Sequence, residues 1–344
     1  MLLSRHPSLI ITADDLGYSS SRDDGIFFLF QLGAISRASL LVNGANAGRA
    51  LAHAHAVGLP VGLHLNLSEG APLSARPTTL LAPGARCMRG KLGFRAAFAA
   101  GEVAIADVAR EAAAQVSAFT SLHPAGALPV HLDGHQHVHV IPGVAAAVAG
   151  ALRGLVRAVR LPAWAGDAVE PLCGVVGGAE GGAGGLGRAE FYRRVGADAV
   201  GAEAAYAEAG FAASARIFVG FSLSPDSDGK ANVDGHASAL ERLLSAALAA
   251  ADGAAVELMV HPGWRTPAAA GASQAPASAP ALLPALPPAL EARRAGALSA
   301  AARDRGTQGG CCECCGADLF SQNAAREVEL GALAALAIDT TERT

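Results

Sequence analysis

The feature that most constrains this chain is a series of short apolar runs, each closing on polar residues and separated by helical stretches. Residues 8–12 (SLIIT) run into Asp14-Asp15, residues 39–42 (SLLV) into Asn43-Gly44, and residues 61–67 alternate as VGLHLNL. Residues 130–132 lead into Asp133-Gly134-His135, and residues 156–161 close on Arg160-Leu161-Pro162. Residues 217–223 (IFVGFSL) follow, and residues 256–260 (VELMV) end at His261-Pro262-Gly263. Between them, residues 23–32, 103–119, 144–155 and 237–251 read as helices. Strands alternating with helices imply parallel βαβ units. About seven such strands suit a closed or nearly closed β/α barrel, with an open doubly wound sheet as the alternative.

At 344 residues, with 51% hydrophobic and 16% charged residues, the chain can bury a large core. Its net charge of −4 and lack of a basic block argue against nucleic acid as a partner. No long apolar segment suggests a membrane span, and the N-terminus lacks a signal-peptide pattern, so a cytoplasmic location is expected. The expected organisation is one barrel domain over residues 1–305, with flexible insertions near residues 174–187 and 266–288 and a divergent tail over 306–344. Within that tail, residues 328–338 read as a terminal helix. Four of the six cysteines lie within residues 311–315, and Cys87 and Cys173 stand apart, so no disulfide framework is expected.

In a β/α barrel the loops after the strands form one face, which holds the active site. Asp14, Asp15, His64, His135 and His261 all occur at strand ends, so residues distant in sequence are expected to meet there. Each has a structural alternative: the aspartates as turn or cap residues, His64 as a bonded core residue, and His261 as ordinary turn chemistry. The run from Asp133 to His139 (DGHQHVH) is harder to explain structurally. Period-2 alternation would put His135, His137 and His139 on one side if the strand continued, and three imidazoles there need metal, charge or hydrogen-bond partners. Histidine and carboxylate donors suit a divalent ion. One carboxylate and two imidazoles would leave positions for water and a substrate oxygen, and a second carboxylate could take the water's proton.

These segments resemble the YdjC-like carbohydrate deacetylases, the family that includes chitooligosaccharide deacetylases. The matching stretches are TADDLGYSSSRDDGI (residues 12–26), SLLVNG (39–44), GLHLNLSEGAPL (62–73), HLDGHQHVHVIPGV (131–144), VRLP (159–162) and ELMVHPG (257–263), with wording closest to the animal members. The resemblance implies a distorted β/α barrel of the polysaccharide-deacetylase kind. It implies Asp14 as proton acceptor and Asp15, His64 and His135 as metal ligands. The implied reaction is hydrolysis of N-acetyl groups on amino sugars or acetylated oligosaccharides, releasing acetate. The family is usually described with magnesium, whereas imidazole donors favour zinc or another transition metal. His261 is inferred as general acid from its strand-end position. His137 and His139 are expected to support or pack, Asp133 to orient a ligand imidazole, and Arg160 to contact sugar oxygens or form a structural salt bridge. An acetylated carbohydrate is the expected partner, with a homodimer as a candidate assembly. The competing readings are a metal- and carbohydrate-binding protein without turnover, and a metal-dependent hydrolase of another amide bond. The GAGGLG stretch at 182–187 lacks a preceding strand and reads as a loop rather than a dinucleotide site.

Overall fold

The structure, a computed structural model, describes residues 6–75, 78–163, 188–220, 233–263 and 324–338. The 174–187 and 266–288 insertions and the cysteine cluster at 311–315 lie outside them. Cys87, which stands apart in the sequence, is disulfide-bonded.

Eight strands form one sheet: β1 (Leu9–Leu16), β2 (Arg37–Leu40), β3 (Val61–Leu65), β4 (Leu132–Gly134), β5 (Ala158–Val159), β6 (Ala212–Ala213), β7 (Ile217–Gly220) and β8 (Val256–Val260). They lie in the order β6-β5-β4-β3-β2-β1-β8-β7, every pairing parallel. The edge strands β6 and β7 are consecutive in the chain, with only residues 214–216 between them. Within that link Ser214 N–H donates to Val159 O of β5, while Arg216 N–H donates to Ala255 O just before β8. A link that bonds β5 at one end of the sheet and the approach to β8 at the other within three residues curls the sheet into a barrel left open between β6 and β7. The expected count of about seven omits the two-residue β6, whose Ala-Ala sequence carries no alternating signal.

The outer face is apolar. Leu9, Ile11 and Ala13 of β1, Ala38 and Leu40 of β2, Leu63 and Leu65 of β3, and Val256, Leu258 and Val260 of β8 join one core with the surrounding helices. These helices are α1 (Ser20–Gln31), α2 (Ala47–Val57), α3 (Gly90–Ala99), α4 (Ile105–Leu122), α5 (Val144–Ala151), α6 (Arg188–Glu208), α7 (Val233–Ala251) and α8 (Ala324–Ile338). In α4 the buried Val108, Ala112, Val116 and Phe119 recur at helical spacing, one stripe facing the sheet. Helix α2 stops at Gly58, whose φ of 74° is the left-handed conformation that closes a helix end. The terminal helix α8 packs on α7 and α1 and buries Leu330, Leu333 and Ala334. Among the described residues no helix is long and apolar enough to cross a membrane.

Because successive strand side chains point to opposite faces, the intervening residues point inward: Thr12, Arg37, Ser39, Gly62, His64, His131, Asp133 and Glu257. Arg160, just after β5, reaches Asp14 of β1 and Glu257 of β8, strands that do not neighbour β5 in the sheet. Only a path across the barrel interior allows that. Many β/α barrels fill this space with branched apolar side chains; here it holds an ionic network. Gly62 makes room for it, since a Cβ there would lie 2.2 Å from the His131 ring.

Candidate metal centre

The network reaches the strand-end rim through two breaks in backbone regularity. Neighbouring residues of a regular strand face opposite ways, yet Asp14 and Asp15 both approach His64, at 4.0 and 3.3 Å. Asp15 has a φ of 65°, and the β1–β2 register shifts between Ala13 and Leu16. Left-handed backbone at a non-glycine residue beside a bulge re-aims a side chain at an energetic cost. The second break follows β4, where Gln136 and His137 have φ of 55° and 56°. The strand therefore ends at Gly134, and the histidines do not share one side as alternation would have placed them. His135 enters the rim. His137 turns toward the rings of Tyr192 and Phe218. His139 folds back beside Gly134, its Nε2 donating to Arg160 O over 2.8 Å.

Asp15, His64 and His135 each present one donor atom, all within 4.8 Å of one another and all buried. Asp15 Oδ1 lies 3.3 Å from His64 Nε2 and 2.9 Å from His135 Nδ1. Among the described residues Asp15 Oδ1 and His64 Nε2 find no hydrogen-bond partner, the condition expected of donors facing a cation. The far atoms are held. Asp15 Oδ2 accepts from Arg22, His64 Nδ1 donates to Asp133 Oδ1 over 2.7 Å, and His135 Nε2 donates to Glu69 Oε2 over 3.2 Å. Imidazoles that ligate metals commonly have their second nitrogen fixed in this way. Asp14, His64 and Asp133 form a second group of donors. There Arg160 already occupies both Asp14 oxygens, at 2.7 and 2.9 Å, and Asp133 Oδ2 at 2.9 Å, so a cation would compete with a guanidinium. The first group is the better fit.

Charge agrees. The connected carboxylates are Asp14, Asp15, Glu69, Asp133 and Glu257, and the guanidiniums are Arg22, Arg37 and Arg160. Five against three leaves two negative charges for a divalent ion to balance. Without one, imidazolium protons serve instead. Burial opposes a charge on His64, but Asp14 and Asp133 raise its pKa to about 10. His135 is likewise raised, burial being outweighed by Asp15. Burial would raise Asp15 too, yet Arg22 and His135 hold it well below the usual carboxylate range. Asp14 moves the other way: burial lifts it to about 6, partly offset by Arg160 and reinforced by Asp133.

Of the other expected residues, Asp133 does sit on the second nitrogen of His64. Arg160 forms salt bridges to Asp14, Asp133 and Glu257 while buried to 1% exposure, so of its two expected roles the structural one is realised. His261 follows β8, one position beyond the Ala13↔Val260 pair that adjoins Asp14, and its backbone N–H donates to Glu329 of α8 over 2.9 Å. Its side chain makes no hydrogen bond or ion pair with the four clustered residues. Two of the network's carboxylates escaped the sequence reading. Glu257 carried a legible signal, as the only charge in the otherwise apolar VELMV strand; it pairs with Arg160 and Arg37, which hold it below the usual range despite burial. Glu69 sits in an irregular loop after β3, where no periodicity marks a side chain's direction.

A sequence model of the family described as YdjC-like protein matches residues 8–304. A carbohydrate deacetylase of Mus musculus is 48% identical over 159 residues, covering 45% of this chain and 50% of that protein. A chitooligosaccharide deacetylase of Serratia marcescens is 36% identical over 137 residues, covering 40% of this chain and 52% of that one. The chain thus spans about half the length of the curated relatives it matches. Among solved structures, an Enterococcus faecalis protein named for cellobiose-phosphate cleavage aligns with a TM-score of 0.48 and 18% identity, covering 75% of this chain and 82% of that chain.

Proposed function

From the premise that the chain belongs to the YdjC-like protein family, we propose that it hydrolyses N-acetyl groups on amino sugars or acetylated oligosaccharides, releasing acetate. The names of the mouse and Serratia relatives support the substrate class. The observation that carries the reading is the convergence of Asp15 Oδ1, His64 Nε2 and His135 Nδ1, their far atoms fixed, beside Asp14. We assign those three residues as ligands of one divalent ion. Such an ion polarises an acyl oxygen and makes water a better nucleophile. Two nitrogens and one oxygen suit zinc or another transition metal better than magnesium.

Asp14 is the general base in this scheme. Its pKa of about 6 lies nearer neutrality than an ordinary carboxyl, so it is ionised at pH 7 yet basic enough to take a proton from water. Arg160 grips both Asp14 oxygens and so fixes the carboxylate plane, while a second lone pair on each oxygen stays available. His261, at the same rim, is assigned to protonate the departing amine. Its support is position, next to Asp14 across the β1–β8 pair.

The test is acetate release from a panel of N-acetylated oligosaccharides, with and without a chelator, by wild type and Asp14→Asn. Turnover abolished by chelator and lost in Asp14→Asn is expected. Asp14→Asn turning over like wild type would refute the base assignment. Metal binding by a wild type that releases no acetate from any substrate would favour the non-catalytic carbohydrate-binding alternative.

A further inference from the structure

The two imidazoles of the centre are mounted in opposite senses. His64 offers Nε2 inward and gives Nδ1 to Asp133, whereas His135 offers Nδ1 inward and gives Nε2 to Glu69. The partners differ as well. Asp133 is fully buried inside the barrel and shared among Ser39, His64, His131 and Arg160. The Glu69 side chain is 26% exposed and lies on the loop after β3.

That loop is built to hold it. Gln136 Nε2 donates to Glu69 Oε1, leaving Oε2 for His135. Asn66 Oδ1 accepts from the backbone N–H of Ser68 and Glu69, both at 3.0 Å, and Asn66 Nδ2 donates to Glu69 O over 2.9 Å. Asn43 Nδ2 donates to the same carbonyl. Behind them Gln115 of α4 bonds both the N–H and the carbonyl of Asn66.

We propose that Glu69 is a positioning residue that locks His135 in the tautomer and ring orientation presenting Nδ1 to the metal. The inference rests on the metal-centre reading above. A half-turn of the His135 ring would set carbon atoms against both Asp15 and Glu69. With Glu69 present the single ring proton is drawn to Nε2, which donates to the carboxylate, and Nδ1 is left bare toward the metal; without it, the proton can sit on either nitrogen. Removing Glu69 leaves His135 still facing Asp15, and the side chain lost is itself 26% exposed.

Two measurements on the full chain test this. Long-range proton–nitrogen NMR of the zinc-loaded wild type should show His135 bound through Nδ1 with a proton on Nε2, and His64 the reverse. Ligation of His135 through Nε2 overturns the proposal. Zinc titration of chelator-stripped protein should show affinity about 10–100-fold weaker in Glu69→Ala, the usual scale for losing a carboxylate behind a ligand histidine. Glu69→Gln, which keeps an acceptor, should recover most of that loss. Wild-type affinity in a folded Glu69→Ala protein overturns the positioning role while leaving the centre intact. A folded wild type that takes up no divalent ion defeats the underlying metal reading instead.

Discussion

The two faces of the same sheet obey different chemistry. Outward residues such as Leu63, Leu40 and Leu258 meet the helices through non-directional apolar contact. Inward residues such as Asp133, Arg160 and Glu257 are joined one to another by ion pairs across the barrel. An apolar face loses energy roughly in proportion to the volume removed. A buried ionic face depends on balance, because deleting one member leaves its partners charged and unpaired. Adjacent residues of one strand should therefore fail in different ways when altered.

The largest effect is expected at Arg160. Arg160→Met strands Asp14, Asp133 and Glu257 in the interior and should cost about 3–5 kcal/mol, read as a fall in the urea midpoint. Unchanged stability would mean that the inner network is not interdependent. Leu63→Ala, on the outer face next to His64, should cost about 2–5 kcal/mol through a cavity, while the folded fraction binds zinc as wild type does. A large loss of metal affinity there would erase the distinction between the faces. Gly62→Ala puts a methyl into the His131 ring and should cost about 1–3 kcal/mol, detectable by thermal unfolding. Its inner-face position adds a prediction of weakened metal binding that Leu63→Ala does not share.

The smallest effect is one of pH. His64 and His135 have raised pKa values because the carboxylates around them demand positive charge when no cation is present. Protons and a divalent ion then compete, so binding should tighten as pH rises toward 8 and should release at least one proton per ion near neutrality. Calorimetry in buffers of different ionisation enthalpy reads that number, and uptake without proton release would contradict the charge balance.

The same contrast explains what the sequence discloses. Apolar alternation in strands such as VELMV is a local property, so the outer face and the β/α order are legible residue by residue. Strand-end polarity brings Asp14, Asp15, His64 and His135 to one rim for the same reason. Three things are not local. Positive φ at Asp15, Gln136 and His137 redirects side chains that regular periodicity would place elsewhere, which is why His137 and His139 part from His135. Partners of the inner charges lie as far apart as Asp14 and Arg160, and their pairing depends on the barrel's curvature. Glu69 takes its direction from the hydrogen bonds of Asn66 and Gln136, which no repeat announces.

The central claim is that the inner face ends in a metal centre made by Asp15, His64 and His135. The most direct measurement is the metal content of chelator-stripped protein after reloading with zinc or cobalt, compared between wild type, Asp14→Asn and His64→Ala. One ion per chain in wild type and Asp14→Asn, with none retained by folded His64→Ala, is the predicted result. Equal metal content in His64→Ala and wild type would contradict it.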